Sequence, residues 1–69
     1  MLSLTVNGDA REAPEGTTVD ALLRAVGRDP DVPGVAVAVQ DRVVRRADWP
    51  TTTLLDGQRV EVITAAQGG

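Results

Sequence analysis

Sixty-nine residues make one small domain, which buries only about 60% of the surface its unfolded chain exposes and leaves a thin core with little room for a deep pocket. The chain has no cysteine and no histidine, so disulfide staples and the common zinc ligand sets are excluded. A net charge of −3 and a single aromatic, Trp49, argue against wrapping a phosphate backbone and against the stacking platforms of single-strand binders.

The core must therefore be aliphatic, drawn from eleven valines, seven leucines and isoleucines and nine alanines. Met1 leads straight into an alternating LSLTV with no basic segment before it. No apolar run approaches the length of a membrane span, so the expectation is a soluble cytoplasmic protein without a signal peptide.

Leu2, Leu4 and Val6 alternate with Ser3 and Thr5, the period of a strand with one buried face. Asn7-Gly8 is a hairpin signal, because both central positions of a type I′ turn need positive φ. The return strand, around DAREA, is polar, as suits an exposed edge, and Pro14-Glu15-Gly16 ends it. In TTVDALLRAVG, Thr17 or Thr18 can cap a helix, and Asp20 favours its first turn electrostatically. Val19, Leu22, Leu23 and Val26 form one apolar stripe, Gly27 supplies a left-handed stop and Pro30 prevents resumption. A helix of about two turns, Val19 to Val26, is too short to stand alone and must lie on a sheet.

Residues 29–34, DPDVPG, read as a loop. VAVAVQ, 35–40, puts Val35, Val37 and Val39 on one face and Ala36 and Ala38 on the other. Asp41-Arg42 turns the chain into VVRR, an irregular stretch runs through Trp49-Pro50, and Asp56-Gly57 marks a further turn. RVEVIT, 59–64, is the last strand, with Val60 and Val62 pointing one way and Arg59, Glu61 and Ile63 the other. The whole is an α+β domain over 1–64, a sheet with one helix on one face, followed by a flexible tail over 65–69.

Little in this chain can do catalysis. Without histidine or cysteine, the usual general base, thiol and triad arrangements fail. The hydroxyl clusters at Thr17-Thr18 and Thr51 to Thr53 have no neighbouring base in sequence. Asp29 and Asp31 are spaced for a hard cation but no third ligand follows, and no GxxxxGK phosphate loop exists. What remains is the ending TAAQGG. A carboxylate preceded by two glycines can enter a narrow site on another protein where any β-carbon would collide. An enzyme that activates a carboxylate with ATP needs such access, and the resulting acyl adenylate is open to a sulfur nucleophile.

Taken in order, VNG, GTTVDALL, VAVAVQDRVVRRADW and DGQRVEVITAAQGG resemble the ThiS family, sulfur carriers of thiamin thiazole synthesis among the ubiquitin-like β-grasp proteins. The resemblance covers nearly the whole chain. It implies a mixed sheet of four or five strands whose first and last strands pair in parallel at the centre, under the helix. It also implies adenylation of Gly69 by a ThiF-like enzyme, sulfuration to a thiocarboxylate, and transfer of the sulfur to a ThiG-like thiazole synthase. A cysteine desulfurase or similar system would supply the sulfur. Gly68, Gln67 and Ala66 would thread into the partner sites. No cofactor would be bound, ATP and Mg²⁺ belonging to the activating partner, and the carrier would be no enzyme but a covalent co-substrate. It would be a monomer when free, with neither nucleic acid nor membrane as partner.

Two alternatives stand beside this reading: a MoaD-like carrier for molybdopterin synthesis and a ubiquitin-like protein modifier. MoaD tails usually carry a proline pair before the final glycines, where Ala65-Ala66-Gln67 stands here. The sequence also departs from the ThiS pattern at Arg45, where many relatives have proline.

The outer sheet face offers a docking patch in Ile63 and one of Val43 or Val44, against the plain alternative of ordinary exposed aliphatics. Trp49 reads as a core filler or lid, and Arg45 and Arg46 as a solvated face. An activated acyl terminus is open to attack by the chain's own nucleophiles. The lack of cysteine and lysine removes the two best ones, although codon bias also accounts for the arginine.

Overall fold

A computed structural model describes residues 1–64; the expected tail, 65–69, with Ala66, Gln67, Gly68 and Gly69, lies outside the described residues. The apolar alternation at the start forms β1, Leu2–Val6. Asn7 and Gly8 take φ of 51° and 86°, the positive values of the expected tight turn. The chain returns antiparallel as β2, Asp9–Ala13, in a register that runs from Leu2 opposite Ala13 to Val6 opposite Asp9. Only Ala13 of β2 is buried, so this strand is the polar edge its composition implies.

The helix, α1, spans Val19–Ala25. Thr18 is its cap: the hydroxyl oxygen accepts from the Ala21 N–H at 3.2 Å. The Thr17 hydroxyl instead donates to the Pro14 carbonyl at 2.7 Å. Val26 forms the C-terminal boundary and Gly27 follows at φ 83°. Val19, Leu22 and Leu23 enter the core, while Val26 is half-buried at its rim.

Strands β3, Val35–Val39, and β4, Arg42–Val44, form a second antiparallel hairpin. Its turn centres on Gln40 and Asp41, both at positive φ (52° and 68°), one residue earlier than the sequence implies. The strand expected from VVRR ends at Val44. Arg46–Thr51 instead wind into a 3-10 turn where only irregular chain was expected. The Asp48 carbonyl anchors the exit of that turn by accepting from both the backbone N–H and the hydroxyl of Thr52.

The last strand, β5, Arg59–Thr64, enters the middle of the sheet, giving the order β2-β1-β5-β3-β4. It runs parallel to β1 (Thr5 beside Arg59, Val6 beside Val60) and antiparallel to β3 from Val39 opposite Val60 to Val35 opposite Thr64. This is the β-grasp arrangement, with five strands and the first and last paired in parallel at the centre.

Leu2, Leu4, Val37, Val60 and Val62 line the inner face and meet Leu22 and Leu23 of the helix. Trp49 and Leu54 close the core at one end. The chain past the 3-10 turn is stitched to the start of the helix, Val19 N–H donating to the Thr52 carbonyl and Leu54 N–H to the Thr17 carbonyl. Trp49 is therefore a core residue, its indole N–H donating to the Val44 carbonyl at 2.8 Å.

The two threonines ahead of the helix make separable contributions. Thr18→Ala, which removes the cap, lowers stability by about 1 kcal/mol, and Thr17→Ala by less than about 0.5 kcal/mol, since its hydroxyl donates to a turn carbonyl and satisfies no helix-end N–H. Guanidinium chloride unfolding of the two variants checks the difference, and equal losses would refute the assignment of the cap.

Candidate functional site

The expected modified residue, Gly69, and the threading residues Gly68, Gln67 and Ala66 lie outside the described residues; the last described strand before them is β5. Period-two alternation sends Val60 and Val62 of β5 into the core and leaves Arg59, Glu61 and Ile63 on the opposite, uncovered face. On that face Ile63 stands opposite Ala36 and Glu61 opposite Ala38. Val43 of β4 flanks Ala38 on the other side. Ile63 and Val43 are 57% and 78% exposed, respectively, far more than the aliphatics of the inner face. Because cross-strand partners share a face, Ile63 and Val43 stand diagonally across the small alanines of β3, and Glu61 faces Val43 across Ala38, so the trough between them is shallow and apolar at two of its corners.

Of the pair left open by the sequence, Val43 is the outward residue. Val44 stands opposite the buried Val37 and packs against the core, so it does not belong to the outer patch. A one-residue step along a strand reverses the face, which is why the two cannot both point outward.

The polar groups around the trough are exposed ones. The Arg59 guanidinium donates to the Asp41 carboxylate at 2.7 Å, and this bond and the carboxylate's charge raise the arginine pKa above its usual value. Arg45 pairs with Asp48 at 3.4 Å, close to solvent. Arg46 is exposed, as expected of a solvated face, and makes specific contacts as well. Its guanidinium lies 4.6 Å from the centroid of the Trp49 ring and donates to the Pro30 and Val32 carbonyls, tying the loop before β3 onto the tryptophan.

Sequence reasoning missed one side chain at this end of the sheet. The Asn7 amide donates to the Val62 carbonyl at 3.1 Å and accepts from the Val62 N–H at 2.8 Å, although the two residues are 55 apart in sequence. The only signal was Asn-Gly, which accounts for the turn and says nothing of the strand beside it.

On the helix side, a cavity of about 210 Å³ is lined by Val6, Asn7, Ala10, Val26 and Val62 together with the charged Asp9, Arg11 and Arg28. Arg11 is already engaged there, donating to the Ala25 carbonyl at 2.9 Å. Among the described residues, no cluster of three acidic, histidine or cysteine side chains is brought together to hold a metal.

The family model described as the ThiS family matches residues 4–69. The crystal structure of a thiamine biosynthesis protein (ThiS) from Geobacter metallireducens superposes with a TM-score of 0.81 at 31% identity, covering 99% of this chain and 100% of that one. A solution NMR structure of a thiamine biosynthesis protein from the same organism gives a TM-score of 0.78, also at 31% identity, covering 99% of this chain and 88% of the other. No curated protein sequence matches the chain.

The two faces of β4 respond differently to charge. Val43→Asp costs no more than about 1 kcal/mol, because the side chain is already in water. Val44→Asp costs at least about 2 kcal/mol, because a carboxylate is pressed against the core. Urea unfolding of the two single variants measures this, and equal costs would overturn the assignment of faces.

Proposed function

The chain belongs to the ThiS family, and from that membership we propose that it carries the sulfur for thiamin thiazole synthesis as a thiocarboxylate on Gly69. The observation that carries this reading is that the family match runs through the last residue and so includes the terminal Gly68-Gly69 pair. A side chain at either position would add bulk next to the reacting carbon; glycine adds none.

The chemistry needs little from the carrier beyond delivery. A carboxylate oxygen of Gly69 attacks the α-phosphorus of ATP on a ThiF-like enzyme, and pyrophosphate leaves with its Mg²⁺. In the acyl adenylate the carbonyl carbon has a good leaving group. A hydrosulfide equivalent from the sulfur donor adds there and expels AMP, leaving a thiocarboxylate and one proton. The sulfur then passes to a ThiG-like thiazole synthase. ATP and Mg²⁺ enter with the adenylating partner.

The trough between Val43 and Ile63 is the docking face for that partner. Its Ile63 wall stands on the strand that leads directly to the tail, so a partner seated there holds the chain near the reacting end. The ending Ala65-Ala66-Gln67 in place of a proline pair favours the thiazole pathway over a molybdopterin one.

Intact-protein mass spectrometry after incubation with ATP, Mg²⁺ and the adenylating enzyme tests the reading. The carrier gains one adenylyl group and then, with a sulfur source, exchanges one oxygen for sulfur; deletion of Gly69 abolishes both changes. A chain that instead appears joined to a lysine of another protein would be a modifier, and an unchanged mass would refute the carrier reading.

The docking face has its own test. Ile63→Asp leaves the fold intact and raises the concentration of adenylating enzyme needed for half-maximal reaction by about tenfold, the effect of losing a contact of roughly 1.4 kcal/mol. Unimpaired adenylation of that variant would remove the trough from the interface.

A further inference from the structure

Strand β5 is held unequally along its two edges. Against β3 its pairing continues to Thr64, opposite Val35. Against β1 the backbone ladder ends at Val60, whose carbonyl accepts from the Asn7 N–H at 2.9 Å, because the chain turns away there into the first hairpin. The next groups of β5 facing that edge are the N–H and carbonyl of Val62. Both are taken by the Asn7 side chain, whose amide presents one donor and one acceptor much as a peptide group would. Among the described residues this is the last hydrogen bond of β5 on the β1 edge.

Asparagine meets two demands at this position. It tolerates the positive φ of the turn, and its amide can satisfy a backbone donor and acceptor together. Glycine meets only the first. Aspartate also tolerates the turn, and when ionised it accepts but cannot donate, so it keeps at most half of the clamp.

We propose that Asn7 is a positioning residue for the terminal carboxylate: its clamp on Val62 holds the β1 edge of the strand end from which the chain continues toward the partner's active site. This rests on the carrier function proposed above. Seven residues separate Val62 from the chain end, a reach of at most about 25 Å. Without the clamp the last hold on this edge is Val60, and the strand end is kept in place by β3 alone, through Ala36 and Val35. The loss is of direction, since a strand end held along one edge aims the chain at the reacting phosphate less firmly.

Asn7→Gly keeps the turn and removes the clamp, so it separates the two roles of the residue. Amide hydrogen exchange of the free protein should become faster at Val62 and stay unchanged at Val60. In single-turnover adenylation with the adenylating partner, the maximal rate should fall roughly three- to tenfold. The half-saturating partner concentration should stay within about twofold, because the docking trough is untouched. Asn7→Asp should fall between the glycine variant and the wild type in both measurements. A maximal rate lowered less than about threefold, or a loss confined to the half-saturating concentration, would overturn the proposal. Unchanged exchange at Val62 would do the same. Should Asn7→Gly also expose Val60, Asn7→Asp decides, and wild-type behaviour of that variant would reject the idea. If the wild-type chain is never adenylated, the carrier reading fails and this role fails with it. A normally adenylated wild type with an equally competent glycine variant rejects the positioning role alone.

Discussion

The last strand to be made is the middle strand of the sheet, and the rest of the molecule is arranged to hold it there. β5 lies between β1 and β3, with Val60 and Val62 directed into the core. Two turn residues clamp it from opposite sides. Gln40 meets Arg59, its backbone N–H donating to the Arg59 carbonyl at 2.9 Å and its side-chain oxygen accepting from the Arg59 N–H. Asn7 meets Val62 through its side-chain amide alone. Both clamping residues have positive φ. A tight turn thus reverses each hairpin and also leaves a polar side chain lying along the neighbouring strand.

A parallel β1–β5 pair needs a long connection between its strands, and the chain fills that connection with everything else it has: β2, the helix, the second hairpin and the 3-10 turn. The final part of the connection is the least regular and the most dependent on particular residues. Trp49 fills the end of a core otherwise built from aliphatics, and it can be buried because its indole N–H reaches the Val44 carbonyl. Arg46 stacks on the same ring and secures the loop at Pro30 and Val32. One aromatic residue thereby joins the edge strand, the 3-10 turn and the loop before β3. That is an economical solution for a chain too short to build a second layer of core.

Much of this was legible in the sequence because it follows from local periodicity. The alternation of LSLTV, VAVAV and RVEVIT gives three strands with their inner and outer faces. Asn-Gly gives a hairpin, and the stripe Val19, Leu22, Leu23 gives the helix with its buried side. Other features required tertiary partners that no local pattern encodes. Val43 and Val44 are adjacent and chemically identical, so only the pairing of Val44 with Val37 decides which one faces water. Arg45-Arg46 read as a uniform charged pair. Both are exposed, but one pairs with the nearby Asp48, while the other is organised by an aromatic ring and two carbonyls distant in sequence. The Asn7 clamp spans 55 residues, and its sequence signal was fully accounted for by the turn. The parallel pairing itself came from family resemblance, since periodicity fixes faces and leaves strand order open.

These features bear on one another at the end of β5. A group that must react in another protein's pocket is useful only if its base is fixed and its last residues are thin. The base is fixed by a central strand with neighbours on both sides and a buried inner face. The thinness is written in composition, since nothing after Thr64 is larger than glutamine and the final two residues lack side chains. Ile63 and Val43 lie on the outer face of the same sheet, and Ile63 is the penultimate residue of β5. On the proposed carrier reading, a partner that grips the trough also grips the strand whose continuation it acts on. Recognition and delivery would then share one rigid element, and bonds to β5 on its core and edge sides would act on a reaction that takes place elsewhere.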